Sequence, residues 1–284
     1  DTGWLGRLLD WRCLFHVGAA AAMRCVATKP SELWATANPA EALIALYRQP
    51  PLENLKAPAF GPPDEPTLAA SALLDRGFLS EQLARYGRSH GDHADGKAIA
   101  SIWSKFHFSS VAIPTLVANL LLGYELPLAG DELRLAVGDQ GQTARIWLPH
   151  GGVPLSSSAP QARFCRLFDD HCAPLIELLA VISGLSAKVF WSNLGHYVEF
   201  VGKACSRHPE FSAAGDPLLD YLDTKTLPDG RRNPLYQPVR YLELGGETPS
   251  RVRRLCCIKY RLPGEPLCGG CPLKPENKPS KQRR

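Results

Sequence analysis

The sequence predicts an α+β protein with a helix-rich N-terminal part, a central antiparallel hairpin or sheet, and a small C-terminal subdomain organised by cysteines. Three observations carry this reading. Apolar residues recur at helical spacing through most of the chain, the period switches to alternation between Leu133 and Leu148, and four of nine cysteines fall between positions 256 and 271. With 284 residues, 45% hydrophobic and 21% charged, the chain is neither disordered nor collagen-like. That length buries a core large enough to dispense with disulfide or metal staples, so any metal site is expected to serve function. The 24 glycines and 25 prolines imply many loops on that core.

Taken in order, Asn38 is placed as an N-cap, Pro39 as the first helical residue and Glu41 to complete a capping box before Leu43, Ile44 and Leu46. Six prolines between Pro50 and Pro66 then favour an extended connector. Helices are expected over 67–75 and 79–86, followed by a polar loop from Gly87 to Gly96. Ile99, Ile102, Trp103 and Phe106 mark a helix over 97–108, with a second from about Pro114 to Leu122. Leu133, Leu135 and Val137, then Ala144, Ile146 and Leu148, alternate with polar or outward residues around Gly138–Gln142, a hairpin pattern. Helices return over Pro174–Ser183, closed by Gly184, and over Ser186 to about Cys205; Pro238–Leu244 and Arg251–Tyr260 read as extended. The implied division is a helical region with connector over 1–66, a central α+β domain over 67–245, and a C-terminal segment with basic tail over 246–284.

No stretch reaches the ~18 uninterrupted apolar residues of a membrane span, which predicts a soluble protein. The apolar run Cys13–Met23 has only Arg7 and Arg12 ahead of it and no convincing signal cleavage site. The dinucleotide, phosphate-loop, zinc-protease and serine-hydrolase signatures are all missing, so electrons, if the protein moves them, arrive from a separate donor. Charge is uneven. Residues 251–284 hold ten Lys and Arg against Glu265 and Glu276, a local +8 in a chain of net +4. Five scattered cysteines (Cys13, Cys25, Cys165, Cys172, Cys205) in helical segments read as buried small hydrophobes in a reducing compartment.

The remaining four read Cys256-Cys257, ten residues, Cys268-Gly-Gly-Cys271. The glycine-spaced pair can fold into a tight turn whose two thiolates reach a metal, which suits zinc and iron equally. The vicinal pair discriminates. Adjacent side chains on extended backbone point to opposite faces, so Cys256 and Cys257 share one ion only through a distorted backbone. A binuclear iron-sulfur cluster spreads four thiolates over two irons and relaxes that demand, whereas zinc sites usually carry two C-x2-4-C knuckles. Structural zinc and a redox-active dithiol remain as alternatives, the chief rival being a zinc-ribbon module whose basic tail grips nucleic acid. On this reading the C-terminal unit is a small iron-sulfur subdomain, and Cys268 and Cys271 are expected to share one iron.

The spacing C-C-x10-C-x2-C before Pro272, within Arg254-Leu-Cys-Cys-Ile-Lys-Tyr-Arg-Leu-Pro-Gly264 and Cys268-Gly-Gly-Cys-Pro272, resembles the C-terminal signature of the siderophore-iron reductase family, the FhuF-like proteins. Weaker resemblance extends to Ser101-Ile-Trp-Ser-Lys105 and Trp191-Ser-Asn193, so that it covers about residues 97 to 275, while the first ninety or so match nothing specific. The resemblance implies a 2Fe-2S cluster on Cys256, Cys257, Cys268 and Cys271 that passes one electron to an iron(III) siderophore, hydroxamates especially. It also implies a separate electron donor, protein or small reductant, no nucleic-acid partner, and a cytoplasmic location compatible with peripheral contact at the inner face of the cytoplasmic membrane. Fe(II) is held less tightly than Fe(III) by hard oxygen ligands, so one electron loosens the chelate.

Four thiolates would leave such a cluster at −2 oxidised and −3 reduced. Arg253, Arg254, Lys259 and Arg261 are therefore expected around it as cations that favour the reduced form. Trp103, Trp191 and Asn193 are candidates for a substrate groove, since large rigid aromatics suit a bulky chelate, although core packing is the commoner fate of such residues. Asn193 and Tyr197 lie one helical turn apart. His90 and His93 sit in a Gly/Asp loop with no Cys or Glu at partner spacing and read as solvated.

Overall fold

The computed structural model describes residues 38–50, 52–207, 213–244 and 248–278; the Cys13–Met23 run, Cys13, Cys25 and the extreme basic tail lie outside them. The fold is α+β, as the periodicities predict. In chain order its elements are α1 (Pro39–Leu46), β1 (Ala59–Phe60), β2 (Thr67–Ala69), α2 (Arg76–Arg88), α3 (Gly96–Val117), β3 (Tyr124–Glu125), β4 (Arg134–Val137), β5 (Thr143–Leu148), β6 (Val153–Pro154), α4 (Pro160–Cys165), α5 (Ala173–Ser183), α6 (Ala187–Ser206), α7 (Asp216–Asp223), β7 (Val239–Leu242) and β8 (Ser250–Arg253).

Helix α3 is the axis of the molecule. Asp95 caps it, its Oδ1 accepting from the backbone N–H groups of Lys97 at 2.9 Å and Ala98 at 3.1 Å. A wider π turn carries it on to Leu122, and Gly123 ends it in the left-handed region at φ 72°. The expected break before Pro114 does not occur. Pro114 deletes one backbone donor, yet the surrounding turns are enclosed by core residues on every side, and burial outweighs the lost bond. The continuous stretch Gly96–Leu122 is long and apolar enough to cross a membrane by length and composition, but most of it is buried inside this fold.

One side of α3 packs on α6 and the other on β5. The expected hairpin forms, with Arg134 opposite Trp147 and Leu135 opposite Ile146. It becomes the centre of a four-stranded sheet ordered β1-β5-β4-β2, in which β1 is parallel to β5. Two expectations fail here. Residues 67–69 form strand β2 rather than helix because they pair with Arg134–Ala136, and a 3-10 turn takes up Ala70–Leu74. The proline-rich connector contributes β1 and buries Leu52, so it is part of the fold. Nor do the three expected regions have separate cores: Leu43, Leu46, Trp103, Leu194, Cys257 and Leu262 belong to one cluster.

Helix α6 starts on Ser186, whose Oγ accepts from Lys188 N, and runs antiparallel hairpin fashion from α5 through the αL residue Gly184. At Gly195 a Cβ would stand 2.5 Å from Pro238 Cβ, so glycine allows the chain leading into β7 to lie directly on α6. The β7–β8 ribbon is locked there by Arg251, whose Nε pairs with Glu199 Oε2 at 2.5 Å and whose Nη2 donates to His196 O at 2.7 Å. Both charges of this pair are largely buried, which fixes the ribbon that carries the cysteines.

Candidate metal centre

Strand β8 delivers Cys256 and Cys257 three and four residues past its end. Residues 254–260 are therefore not the extended piece expected from sequence. Ile258 adopts φ 52° and turns the chain so that its N–H points back at Cys256 Sγ, 3.2 Å away. The Cys268–Cys271 segment closes as a tight turn, with Cys271 N donating to Cys268 O at 3.0 Å. Arg253 N donates to Gly270 O at 2.9 Å and pins this turn beside β8. A Cβ on Gly270 would meet Arg251 O at 2.9 Å, so the glycine spacer is what allows the approach.

The two segments bring the four sulfurs together as two close pairs. Cys256 Sγ lies 3.7 Å from Cys271 Sγ, and Cys257 Sγ lies 4.0 Å from Cys268 Sγ. Two thiolates sharing one tetrahedral ion with metal–sulfur bonds of ~2.3 Å stand ~3.8 Å apart. Among the described residues no three His, Cys, Asp or Glu side chains converge where a single ion could be held. Two pairs, each sized for one metal, and no mononuclear site suit a binuclear cluster and weigh against a zinc ribbon. Both close sulfur contacts cross between the two segments, whereas the sequence led to the expectation that Cys268 and Cys271 share one iron. The turn and the vicinal pair lie side by side, so each sulfur of one segment has a near neighbour on the other, and Cys257 also contacts Cys256 beside it.

One of the thiols, Cys257, is held toward the thiolate form, while their hydrogen bonds to it and burial raise Cys256 and Cys268. Hydrogen bonds from the thiols of Cys256 and Cys268 hold Cys257 well below its ordinary pKa against the opposing effect of burial, and Lys105 and Arg253 lower it further. A thiolate is the form that binds metal. Cys257 and Cys271 are buried, while Cys256 and Cys268 are partly exposed beside the exposed Leu255, Tyr260 and Leu273.

Beneath the sulfurs lies a polar layer that joins the two central helices. Ser101 Oγ donates to Cys257 O at 2.8 Å. Asn193 Nδ2 donates to Ser101 O at 2.9 Å and reaches the hydroxyls of Ser101 and Ser104 at 3.0 and 3.1 Å, while Asn193 Oδ1 accepts from Arg253 Nη2 at 2.5 Å. Arg253 is 1% exposed, and its Nε and Nη1 have no hydrogen-bond partner. Lys105, also 1% exposed, has its pKa lowered by burial and pulled back up by Cys257 and Cys268. Buried cations without counter-charge are costly, and a cluster of charge −2 is the counter-ion this layer lacks. The residues present thus fit a 2Fe-2S group by donor set and by charge.

Of the other expected cations, Arg254 is exposed on Gln237, Lys259 is ion-paired with Glu265, and Arg261 Nη2 pairs with Asp95 Oδ2 at 2.5 Å. Only Arg253 is buried at the sulfurs. Lys105 carried no role in the sequence reading, although a lysine flanked by apolar residues on both sides of a helix is an available signal. The candidate substrate groove does not form. Trp103 is 1% exposed with its indole N–H on Gly141 O at 2.8 Å, Asn193 is fully buried as a structural bridge, and Trp191 packs half-buried against the core. Tyr197 is buried, and His90 is taken up by Ser89 and the Tyr86 carbonyl. Cys165, Cys172 and Cys205 are free thiols; Cys172 and Cys205 are buried as expected, burial pushing Cys205 up to about 12, whereas Cys165 is only partly buried.

Residues 101–248 match the family described as ferric iron reductase FhuF-like transporter, and residues 253–273 match the FhuF 2Fe-2S C-terminal domain. The chain belongs to the FhuF-like family. It is accordingly an oxidoreductase with a 2Fe-2S cofactor. Among curated relatives, the ferric siderophore reductase of Escherichia coli (strain K12) is 27% identical over 256 residues, which cover 84% of this chain and 90% of that protein. The two upstream strings shared with the family now have a physical reading. Ser101, Ser104 and Lys105 from one, and Ser192 and Asn193 from the other, meet directly under the cysteines of the FhuF-like C-terminal domain.

Proposed function

We propose that this protein reduces the iron of a ferric siderophore, of the hydroxamate type, by one electron, with Cys256, Cys257, Cys268 and Cys271 as the cluster ligands. When bound, the 2Fe-2S group supplies that single electron: it is oxidised by one as Fe(III) in the chelate becomes Fe(II). The observation that carries the reading is the pairing of four sulfurs beside two buried cations, Lys105 and Arg253, the latter with two unpartnered nitrogens. In this reading Cys256 and Cys271 serve one iron and Cys257 and Cys268 the other. Lys105 and Arg253 balance the negative charge and favour the reduced state. Ser101 and Asn193 hold the Cys257 backbone in place. No residue need act as acid or base on the substrate.

The donor is a separate one-electron reductant, since the chain carries none of the common nucleotide signatures. A cytoplasmic location is favoured by the free thiols at Cys165, Cys172 and Cys205; peripheral contact at the membrane's inner face would rest on the basic tail alone. The test is direct. Anaerobically isolated protein should contain two irons and two acid-labile sulfides per chain, become paramagnetic on chemical reduction, and be reoxidised by a ferric trihydroxamate. Stoichiometric zinc without sulfide, or a reduced protein inert to every ferric chelate, overturns the reading.

A further inference from the structure

A cleft of about 710 Å³ opens beside the cysteine module. It lies between α2, the loop before α3, the first turn of α3 and the end of α5, with Arg261 at its inner edge. Its floor is apolar, from Leu83, Ile99 and Ile182, and charges of both signs line its walls. We propose that this cleft is the substrate site, where the ferric trihydroxamate of the reading above docks. The inference deepens the reading above and rests on it.

Position is the first argument. Lys97 lines the cleft, and Ser101, the next residue on the same helical face, donates to Cys257 O. Four residues of helix are ~6 Å, so the cleft wall and the cysteine cradle are one turn of α3 apart. Arg261 follows Cys257 by four residues, in the 3-10 turn Lys259–Arg261, and its ion pair with the α3 cap Asp95 fastens that turn to the cleft. A chelate held there receives its electron over a short path through α3 or the 259–261 turn.

Size and charge suit such a chelate. The volume falls within the range of ligand sites, ~300–1,000 Å³, and a six-oxygen trihydroxamate wraps its iron in a compact body with methylene arms. Three hydroxamate anions cancel Fe(III), so the complex is close to neutral. The cleft answers with near balance: Arg88, Lys97 and Arg261 against Asp92 and Asp95. In the transfer, one electron leaves the reduced protein and one Fe(III) becomes Fe(II); no proton or further reactant is required.

The experiment uses cluster-containing protein with Ala84→Trp and, separately, Lys97→Trp. Both are exposed helical positions whose new side chains fill the cleft, and neither belongs to the cysteine cradle. Asn54→Trp, in a second cleft of about 510 Å³ near Phe106 and Thr143, is the control. Binding of the redox-inert gallium(III) complex of a linear trihydroxamate is followed by calorimetry. Reoxidation of prereduced protein is followed with its iron(III) complex and with the smaller ferric citrate. Expected are a tenfold or greater loss of affinity for the gallium complex in both cleft variants, a matching rise in half-saturating ferric trihydroxamate, and an unchanged visible spectrum; cluster potential and ferric citrate rate stay unchanged in Ala84→Trp, which alters no charge. Wild-type affinity in both cleft variants, or loss in Asn54→Trp alone, overturns the cleft assignment while leaving the reductase reading intact. A wild-type protein that no ferric chelate reoxidises overturns both.

Discussion

Two polar clusters are buried against α3, two residues apart, and they differ in completeness. At Lys105 the helix faces Arg253 and the thiols, and Arg253 keeps two buried nitrogens without partners. At His107 both ring nitrogens are engaged, Nδ1 with Thr143 Oγ1 and Nε2 with His171 Nε2, each at 3.0 Å, and the ring stacks on Trp103. The histidine cluster is closed by the protein itself and stays neutral, its pKa values lowered by burial. The lysine cluster is closed only by an anion. The contrast is between a buried cation left with unpartnered nitrogens beside the thiols and a pair of neutral rings that satisfy one another beside β5.

The largest effect expected is loss of the cofactor. Cys257→Ser removes a buried thiol held toward the thiolate form, and should abolish the visible absorbance and iron content while leaving far-UV circular dichroism unchanged; Cys→Ser at 256 and at 271 should disturb the same iron in Mössbauer spectra, and at 268 the other. Retention of a normal spectrum in Cys257→Ser would break the contrast at its root.

Lys105→Met sharpens the same comparison from the cation side. At ~8 Å and an effective dielectric of ~20, one charge is worth about 2 kcal/mol, or roughly 90 mV for one electron, so the midpoint potential should fall by that order. In cluster-free protein the same change removes an uncompensated charge and should raise the melting temperature by roughly 3 °C. A structural lysine would move both in the destabilising direction.

On the other side, His171 has its pKa lowered to about 4 by burial. It is neutral in the fold and takes up a proton on unfolding below ~6.5, so stability is intact above that pH and declines as pH falls toward 4, by on the order of 2 kcal/mol. Thermal melts of wild type and His171→Gln between pH 7.5 and 4.5 should show a shallower decline in the variant, with cluster potential unaffected. The smallest effect belongs to Arg254→Glu. This residue is exposed and its charge is screened, so a drop of roughly 20 mV is expected in potentiometric titration, well short of Lys105→Met.

Local patterns were legible in the sequence because they are set by short-range physics. Asn38 caps α1, Ser186 caps α6, Gly184 ends α5, and the 133–148 alternation makes the hairpin. The four cysteines were legible because sulfur chemistry requires that residue type at that spacing. Short-range rules failed where distant pairing intervened: Thr67–Ala69 became a strand because Arg134–Ala136 lies beside it, and Pro114 stayed inside α3 because the core encloses it. The short helices α4 and α7 went unseen for want of a long apolar repeat.

The sequence by itself determined the α+β class, the glycine-spaced thiol turn and the family to which the C-terminal signature belongs, because each depends on residues within about fifteen positions of one another. Only the tertiary structure decided which sulfurs neighbour which, that Trp103 and Asn193 are interior supports, and that Lys105 lies with Arg253 under Cys257. Those facts depend on α3, α6 and β8 meeting across 60 to 156 residues of chain. No local spacing encodes such a meeting; it follows from burying the faces of those three elements together.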